Sequence, residues 1–475
     1  MIVRKKRTGI IILLSLLLCG CAGEEQTVSP APSETVQPAP TGTESSDSPL
    51  SRVRASEDVM AVLENAWDRG GEHTSAPVTM GQNAADVMAV EGDILYILQN
   101  KSVLVCRGGG GTLEVLTSLE VGEDWTEENT EKQWGGHEKQ PVALCALRGR
   151  LAVISEYSEY YNAETEDGGW LFRDYSYCTV DLFDTEDAEN IVPMAMYGQS
   201  GSFGCALVLD GRLYVATRRQ LFEEDFAKGS KSPLPFLRSG QEEKPLSWDS
   251  MECWENGSGW YTLLCAYSPY NGVRLDSRAL IGGGERMIMD NTGLTLLRGD
   301  PAETVRYSFF GEKLNAGENE MMEQSADKLM ESAFRGECWQ EDTASEGEAE
   351  WSCPWGEAGR LELRRTKTGL LAVLCEDGNE VCRLPLGYDF QAAPEEALGI
   401  YTDSETGLLG LPAEDGWAFW RLENGEWNYL HSLFSPDHSE NRRCFLWGGS
   451  LYAADTRRVF AIDGETLDIL GEWSL

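Results

Sequence analysis

The chain of 475 residues carries 39 Lys plus Arg against 79 Asp plus Glu, a formal net charge of −40. That sign excludes nucleic acid as a partner class and disfavours adhesion of a folded surface to anionic lipid, leaving cationic, neutral or metal-bridged ligands. The competing reading is that the acidity only keeps an exposed protein soluble.

Taken in chain order, the first element is a leader. Arg4, Lys5, Lys6 and Arg7 precede the apolar run Ile10 to Leu18, the charged region and short apolar region of an export signal. The run is shorter than a membrane span. Leu18-Cys19-Gly20-Cys21 follows and resembles the bacterial lipobox, which makes Cys21 the expected lipidation site and residues 1–20 the removed signal. Acyl chains on Cys21 would hold the protein to the outer face of the cytoplasmic membrane of a Gram-positive cell, since each buried methylene adds roughly 0.8 kcal/mol of membrane affinity. Residues 21–52, rich in Pro, Ser, Thr and Glu, bury too little to fold and read as a disordered tether that gives reach.

Residues 53–82 read as a helix and a lead-in. The stretch SEDVMAVLENAW at 56–67 offers Ser56 as an N-cap and sets Val59, Val62, Leu63 and Trp67 at helical spacing. From 83 to 475 strand patterns and turn residues dominate, predicting an all-β body. Around Gly92 and around Gly449 the chain repeats itself, so that Leu95-Tyr96 and Val103 match Leu451-Tyr452 and Val459 at one constant offset. Shorter echoes occur at Leu147 to Val153 and Leu209 to Val215, and looser ones near Gly293, Gly369 and Gly407. Repeated four-stranded units over this length must hide their sheet edges, which predicts a β-propeller of about seven four-stranded blades preceded by one short helix. The expected loops are 122–140, 155–176, 217–258 and 311–358, and they are expected to build the functional face.

The order of these features resembles a family of secreted bacterial and archaeal proteins with a C-terminal β-propeller domain, over about residues 53–475. The resemblance rests on SEDVMAVLENAW, AADVMAVEGDILYIL, VDLFDTEDAENIVPM, GSFGCALVLDGRLYVATRRQ and EEALGIYTDSETGLLGLPAED. Ala89-Val90-Glu91-Gly92 departs from the family's Lys-Thr-Asp-Gly, and a His-Lys pair is missing near Ala397 to Ile400. What the resemblance implies is a fold, and no particular activity.

Candidate sites are sparse. The four histidines, His73, His137, His431 and His438, form no metal-ligand spacing, and the cysteines beyond Cys19 and Cys21 form no CxxC, so no zinc site and no disulfide framework is indicated. Gly198-Gln199-Ser200-Gly201-Ser202 misses the G-x-S-x-G spacing and reads as a loop; Gly108 to Gly111 reads as a turn and not a phosphate cradle. Glu341, Asp342, Glu346 and Glu348, with Glu337 and Glu350, are candidate calcium ligands set against a solvated acidic insertion, and Asp184-Thr185-Glu186-Asp187 is a weaker loop candidate. No other cofactor is expected. Trp417, Trp420 and Trp427, or Trp248, Trp254 and Trp260, could form aromatic platforms for sugar or peptide, though strand packing explains them equally. The reading that follows is a monomeric, non-enzymatic binding or scaffolding module for a protein, peptide or wall component. The alternatives are a carboxylate-based glycan hydrolase or lyase and a structural envelope protein.

Overall fold

From Leu50 onward short strands alternate with glycine- and aspartate-centred turns, and the chain is nearly all β. The computed structural model describes residues 49–475 apart from 70–73, 76, 81–83, 128–132, 165–169, 227–232, 241, 310–312, 316, 335–348, 357–358, 367–368, 388–398, 414–415 and 436–441. Among the described residues seven sheets follow one another. We number them I (Met88–Glu120), II (Glu123–Ser200 with the hairpin Phe236–Pro245), III (Ser202–Ile281 with Leu50–Arg52), IV (Arg286–Met321 with Val78–Thr79), V (Ala349–Gly387), VI (Tyr401–Phe434) and VII (Arg443–Ser474). Sheets I, V, VI and VII have the four strands expected; IV, III and II have five, six and seven. Turn chemistry explains the meanders. Asp210-Gly211, Asp377-Gly378 and Asn424-Gly425 all have positive φ at both central positions, the hairpin turn whose twist matches that of its strands. Asp403 and Asp463 each fix another turn by accepting backbone N–H bonds from the residues two and three ahead.

Packing follows one rule set in the second strand of the sheets. In sheet I, buried Tyr96 joins Leu144 and Leu151 of sheet II, while buried Leu95 joins Trp447 and Tyr452 of sheet VII. In sheet II, Leu151 faces back to I and Ala152 forward to III; in III, Leu213 faces back to II and Tyr214 forward to IV. Sheet VII obeys it too: Leu451 faces back to VI, and Tyr452 meets sheet I as Tyr96 meets II. Each fully buried side chain of this size contributes roughly 1.5–3 kcal/mol. Among the described residues, hydrophobic clusters join I–II, II–III, III–IV, V–VI, VI–VII and VII–I.

The seam between the last and first sheets is also polar. The Tyr452 hydroxyl accepts bonds from Gly109 N (3.2 Å) and Gly111 N (3.1 Å) and donates to Thr112 O (2.9 Å), and Trp447 Nε1 donates to Gly92 O. This explains two of the four glycines, Gly108 and Gly111. A Cβ at Gly108 would meet Thr112 O at 2.4 Å and the Trp447 ring at 2.8 Å, and one at Gly111 would meet Leu470 at 2.7 Å. The turn predicted there is present; Gly108 and Gly111 serve close packing, and Gly109 and Gly110 supply positive φ.

The lead-in crosses the inner edges of the sheets. Val78–Thr79 runs parallel to Ile288–Met289 of sheet IV, Ala85 N donates to Ala206 O of III, and Asp86 exchanges both backbone bonds with Leu144 of II. The Asp86 carboxylate then receives Arg443 of sheet VII through Nε (2.6 Å) and Nη2 (2.5 Å). One segment therefore touches four sheets.

The expected helix is present at Ser56–Arg69, with Val59, Val62 and Leu63 buried and Trp67 Nε1 donating to Leu221 O. Its entry is held by Asp58, whose carboxylate accepts from Arg54 N and Ala55 N, and not by a Ser56 cap. Leu50–Arg52, inside the stretch read as tether, pairs with Glu252–Trp254 as an outer strand of sheet III. Two readings need correction. A second helix, Ala326–Phe334, follows sheet IV, its buried Ala326 and Met330 packing on Val78, Leu297 and Ala302. The stretches 122–140 and 155–176 are largely strands, because sheet II extends beyond the core with both faces half-solvated and so lacks an apolar period.

Candidate functional site

Three strands of sheet II, Gln133–Leu147, Arg150–Glu164 and Trp170–Asp184, are 15 residues each, about 50 Å at the usual rise per residue. Their inner halves are core: Ala143 to Leu147, Leu151 to Ile154 and Cys178 to Leu182 are largely buried. The outer halves project as an arm, widened by the short strand Glu123–Glu127.

Register sorts the arm into two faces, since antiparallel partners share one. On the first, Trp134 pairs with Asn162, Gly136 with Tyr160, Glu138 with Ser158, and Glu127 with Gly136. Trp125 lies over Gly136, where a Cβ would meet its ring at 2.6 Å, so the glycine is the notch that seats the indole. Trp125 and Trp134 both stand edge-on to Tyr160, at 6.5 and 5.8 Å between centroids. These two tryptophans are 42% and 51% exposed. An isolated exposed Leu or Val is ordinary, but two indoles converging on one tyrosine outside the core form a preformed aromatic surface.

The opposite face is closed. His137 stacks on Tyr157, Tyr157 on Tyr177, and the Arg238 guanidinium sits 4.6 Å over Tyr177, with Phe236 at its edge. Deeper in, Lys139 Nζ donates to Asp181 at 2.6 Å, both side chains 11% exposed. Burial pushes the Asp181 carboxyl up, with Lys139 pulling it back down. Desolvation offsets much of the attraction in a buried ion pair of this kind, whereas removing one partner strands a charge in the core. Among the described residues the Asp181 carboxyl is the one whose pKa is raised, with the nearby Glu123 carboxylate adding a smaller upward push.

A cleft of about 370 Å³ lies between the hairpin Phe236–Pro245 of sheet II and the strand Val273–Ile281 of sheet III, lined by Leu237, Lys244, Leu246, Arg274 and Asp276. Its charges are engaged by the protein. Arg274 donates to Arg238 O, Asp276 accepts from Leu314 N, and Lys244 pairs with Glu242.

Of the residues singled out in the sequence, Cys21 and the calcium candidates Glu341, Asp342, Glu346 and Glu348 lie outside the described residues, with His73 and His438. Among the described residues no three metal-ligating groups converge. Asp184 to Asp187 is an ordinary turn: Asp184 accepts from Glu186 N and pairs with Arg150, and Asp187 accepts from Glu189 N. Trp254, Trp417 and Trp420 are buried in inter-sheet clusters, and Trp427 packs on Trp355; they are packing residues and not platforms. Gly198 to Ser202 is no loop but the direct passage from sheet II to III. There buried Gln199 donates to Val215 O, Thr217 Oγ1 and Leu263 O and accepts from the Tyr267 hydroxyl. The arm's aromatic surface was the feature missed. Its trace in the sequence is Trp125 and Trp134 standing in polar surroundings.

Among the described residues no helix is long and apolar enough to cross a membrane. No protein-family model matches the chain, and no curated protein matches it in sequence. Solved structures similar to it include a chain of "Crystal Structure of Mitotic Checkpoint Complex", at 10% identity and TM-score 0.31, covering 82% of this chain and 94% of that one. "Crystal structure of the eukaryotic initiation factor" follows at 9% and 0.29, covering 86% and 92%. "Europium-containing methanol dehydrogenase" is similar at 10% and 0.28, covering 85% and 80%. Likeness of this size decides neither activity nor arrangement, so the propeller-like all-β character rests on the sheets themselves.

Proposed function

We propose that the chain is a lipid-anchored, surface-displayed binding or scaffolding module, non-enzymatic, holding a protein, peptide or wall component outside the cytoplasmic membrane. The single observation that carries the reading is the exposed pair Trp125 and Trp134 on Tyr160, set on an arm that projects from an otherwise packed body. Anchoring through Cys21 is supported by Arg4 to Arg7, the Ile10 to Leu18 run and the small residues before the cysteine. The body, on this proposal, is a closed ring of seven blades akin to the secreted C-terminal propeller family. Support comes from the common packing rule of the second strands and from the seam of sheet VII on sheet I. The junction between IV and V would complete it. A glycan hydrolase acting from the central channel finds no support among the described residues, because the Asp86 carboxylate on the inner edges is engaged by Arg443.

Affinity capture from native membranes after mild crosslinking tests the reading. A stoichiometric partner that is lost both in Cys21→Ala and in the Trp125→Ala/Trp134→Ala form supports it. Recovery of the protein alone from every form counts against it.

A further inference from the structure

Among the described residues, the aromatic surface of the arm carries charge of one sign. On its face the register places Glu127 opposite Gly136, Glu138 opposite Ser158 and Glu156 opposite Gln140, around Trp125, Trp134 and Tyr160. Among the described residues of the arm's outer half, that face bears no lysine or arginine. Lys139 is on the other face, buried on Asp181, and Lys101 at the arm's root is committed to Asp124 and to the Glu123 carbonyl. Glu127 and Glu156 are both partly used within the protein, Glu156 accepting from Phe203 N, so the proposal needs only the charge they add to the rim.

Aromatic faces attract cations through their quadrupole, and carboxylates beside them add a Coulomb term of the same sign. A neutral sugar would use the rings and gain nothing from the net charge of the rim. A lysine- or arginine-bearing segment uses both, and the chain's −40 charge steers it inward. Resting on the binding role proposed above, we infer that the occupant of this face is a basic segment of a protein partner. Its cationic side chains pack on Trp125 and Trp134 and pair with Glu127 and Glu138. The two indoles standing edge-on to Tyr160 hold their faces in place before binding, which reduces the ordering cost on this side of the interface.

The test uses the folded, soluble form of the whole chain from residue 22 onward, a hexalysine and a hexa-arginine peptide as cationic probes, and a chitotetraose oligomer as a neutral one. Two variants separate the contributions: Trp125→Ala/Trp134→Ala removes the rings, and Glu127→Gln/Glu138→Gln keeps the rings and removes the charge. Thermal midpoints of both are measured first. The expected result is that the peptides bind the parent and weaken on raising salt. Each variant should then lose roughly three- to tenfold in affinity, the size of one or two exposed cation–π contacts or ion pairs. Equal peptide affinity in the parent and both variants would mean that the probes read only the overall charge, and would overturn the inference. Chitotetraose binding that is lost with the rings but kept in the Glu→Gln form would overturn it differently, leaving the arm as a binding surface with a glycan as its ligand. If neither probe responds to loss of the rings, the binding role of the arm falls with it.

Discussion

Replacing Tyr452 by phenylalanine removes one oxygen and leaves the ring, which is fully buried between sheets VII and I. That oxygen makes three bonds across the seam, accepting from Gly109 N and Gly111 N and donating to Thr112 O. At about 1 kcal/mol net per hydrogen bond, Tyr452→Phe should cost about 2–3 kcal/mol. The control is Tyr429→Phe. Tyr429 is 59% exposed and its hydroxyl meets Ser432 in the same strand, so its loss should stay within about 0.5 kcal/mol. Urea unfolding followed by tryptophan fluorescence reads both, as a lowered midpoint with unchanged slope. Equal midpoints for the two variants would refute the reasoning, since the first and last sheets would then not be joined as described.

The salt bridge of Asp86 and Arg443 joins the lead-in to sheet VII, with side chains 21% and 9% exposed. Arg443→Ala should cost about 3 kcal/mol in the same unfolding assay, and adding Asp86→Ala should cost much less than the two single losses together. All ten described cysteines are free thiols, and burial pushes Cys106, Cys145, Cys205 and Cys253 up to about 12. At pH 8 maleimide labelling read by mass spectrometry should therefore mark the half-buried Cys353, Cys375 and Cys382 in the native protein and reach these four only on unfolding. Asp463 is held below its ordinary value by N–H bonds from Thr466 and Glu465. At Asp403 burial acts upward, but the Thr406 hydroxyl and the N–H groups of Glu405 and Thr406 outweigh it. A depressed carboxylate contributes stability that is present above its unfolded pKa of about 3.9 and is lost as pH falls through the lower folded value. Thermal midpoints should fall between about pH 4 and pH 2, with a shallower fall in Asp403→Asn/Asp463→Asn.

Much of the architecture is legible in particular residues. Leu95-Tyr96 and Leu451-Tyr452 announce equivalent strands, and the structure puts them in the same position of sheets I and VII, each pair facing back and forward alike. Val59, Val62, Leu63 and Trp67 announce the helix by their spacing, which works because one face of it is buried. The arm was illegible for the opposite reason. In Glu156 to Tyr160 polar and aromatic residues follow one another and all are half-buried, so no apolar alternation marks the strand and the stretch reads as loop. Trp254, Trp417 and Trp420 are core residues although a buried indole between sheets leaves polar neighbours in sequence: Trp254 is fully buried, yet Glu252 and Glu255 flank it, while Trp248 is 37% exposed. Pairing between strands of one sheet, as between Trp125 and Gly136, or between the lead-in and a sheet, as between Asp86 and Arg443, depends on register and has no local signature.

The central claim is that the arm is the contact surface of an anchored module. A photoreactive amino acid placed at position 134 in the lipid-anchored protein, with position 429 of sheet VI as the exposed control, tests it in living cells. The account predicts one discrete crosslinked product from position 134, absent from 429 and reduced in yield by Glu127→Gln/Glu138→Gln. Products of equal yield from both positions, or none from 134 while 429 gives one, would contradict it.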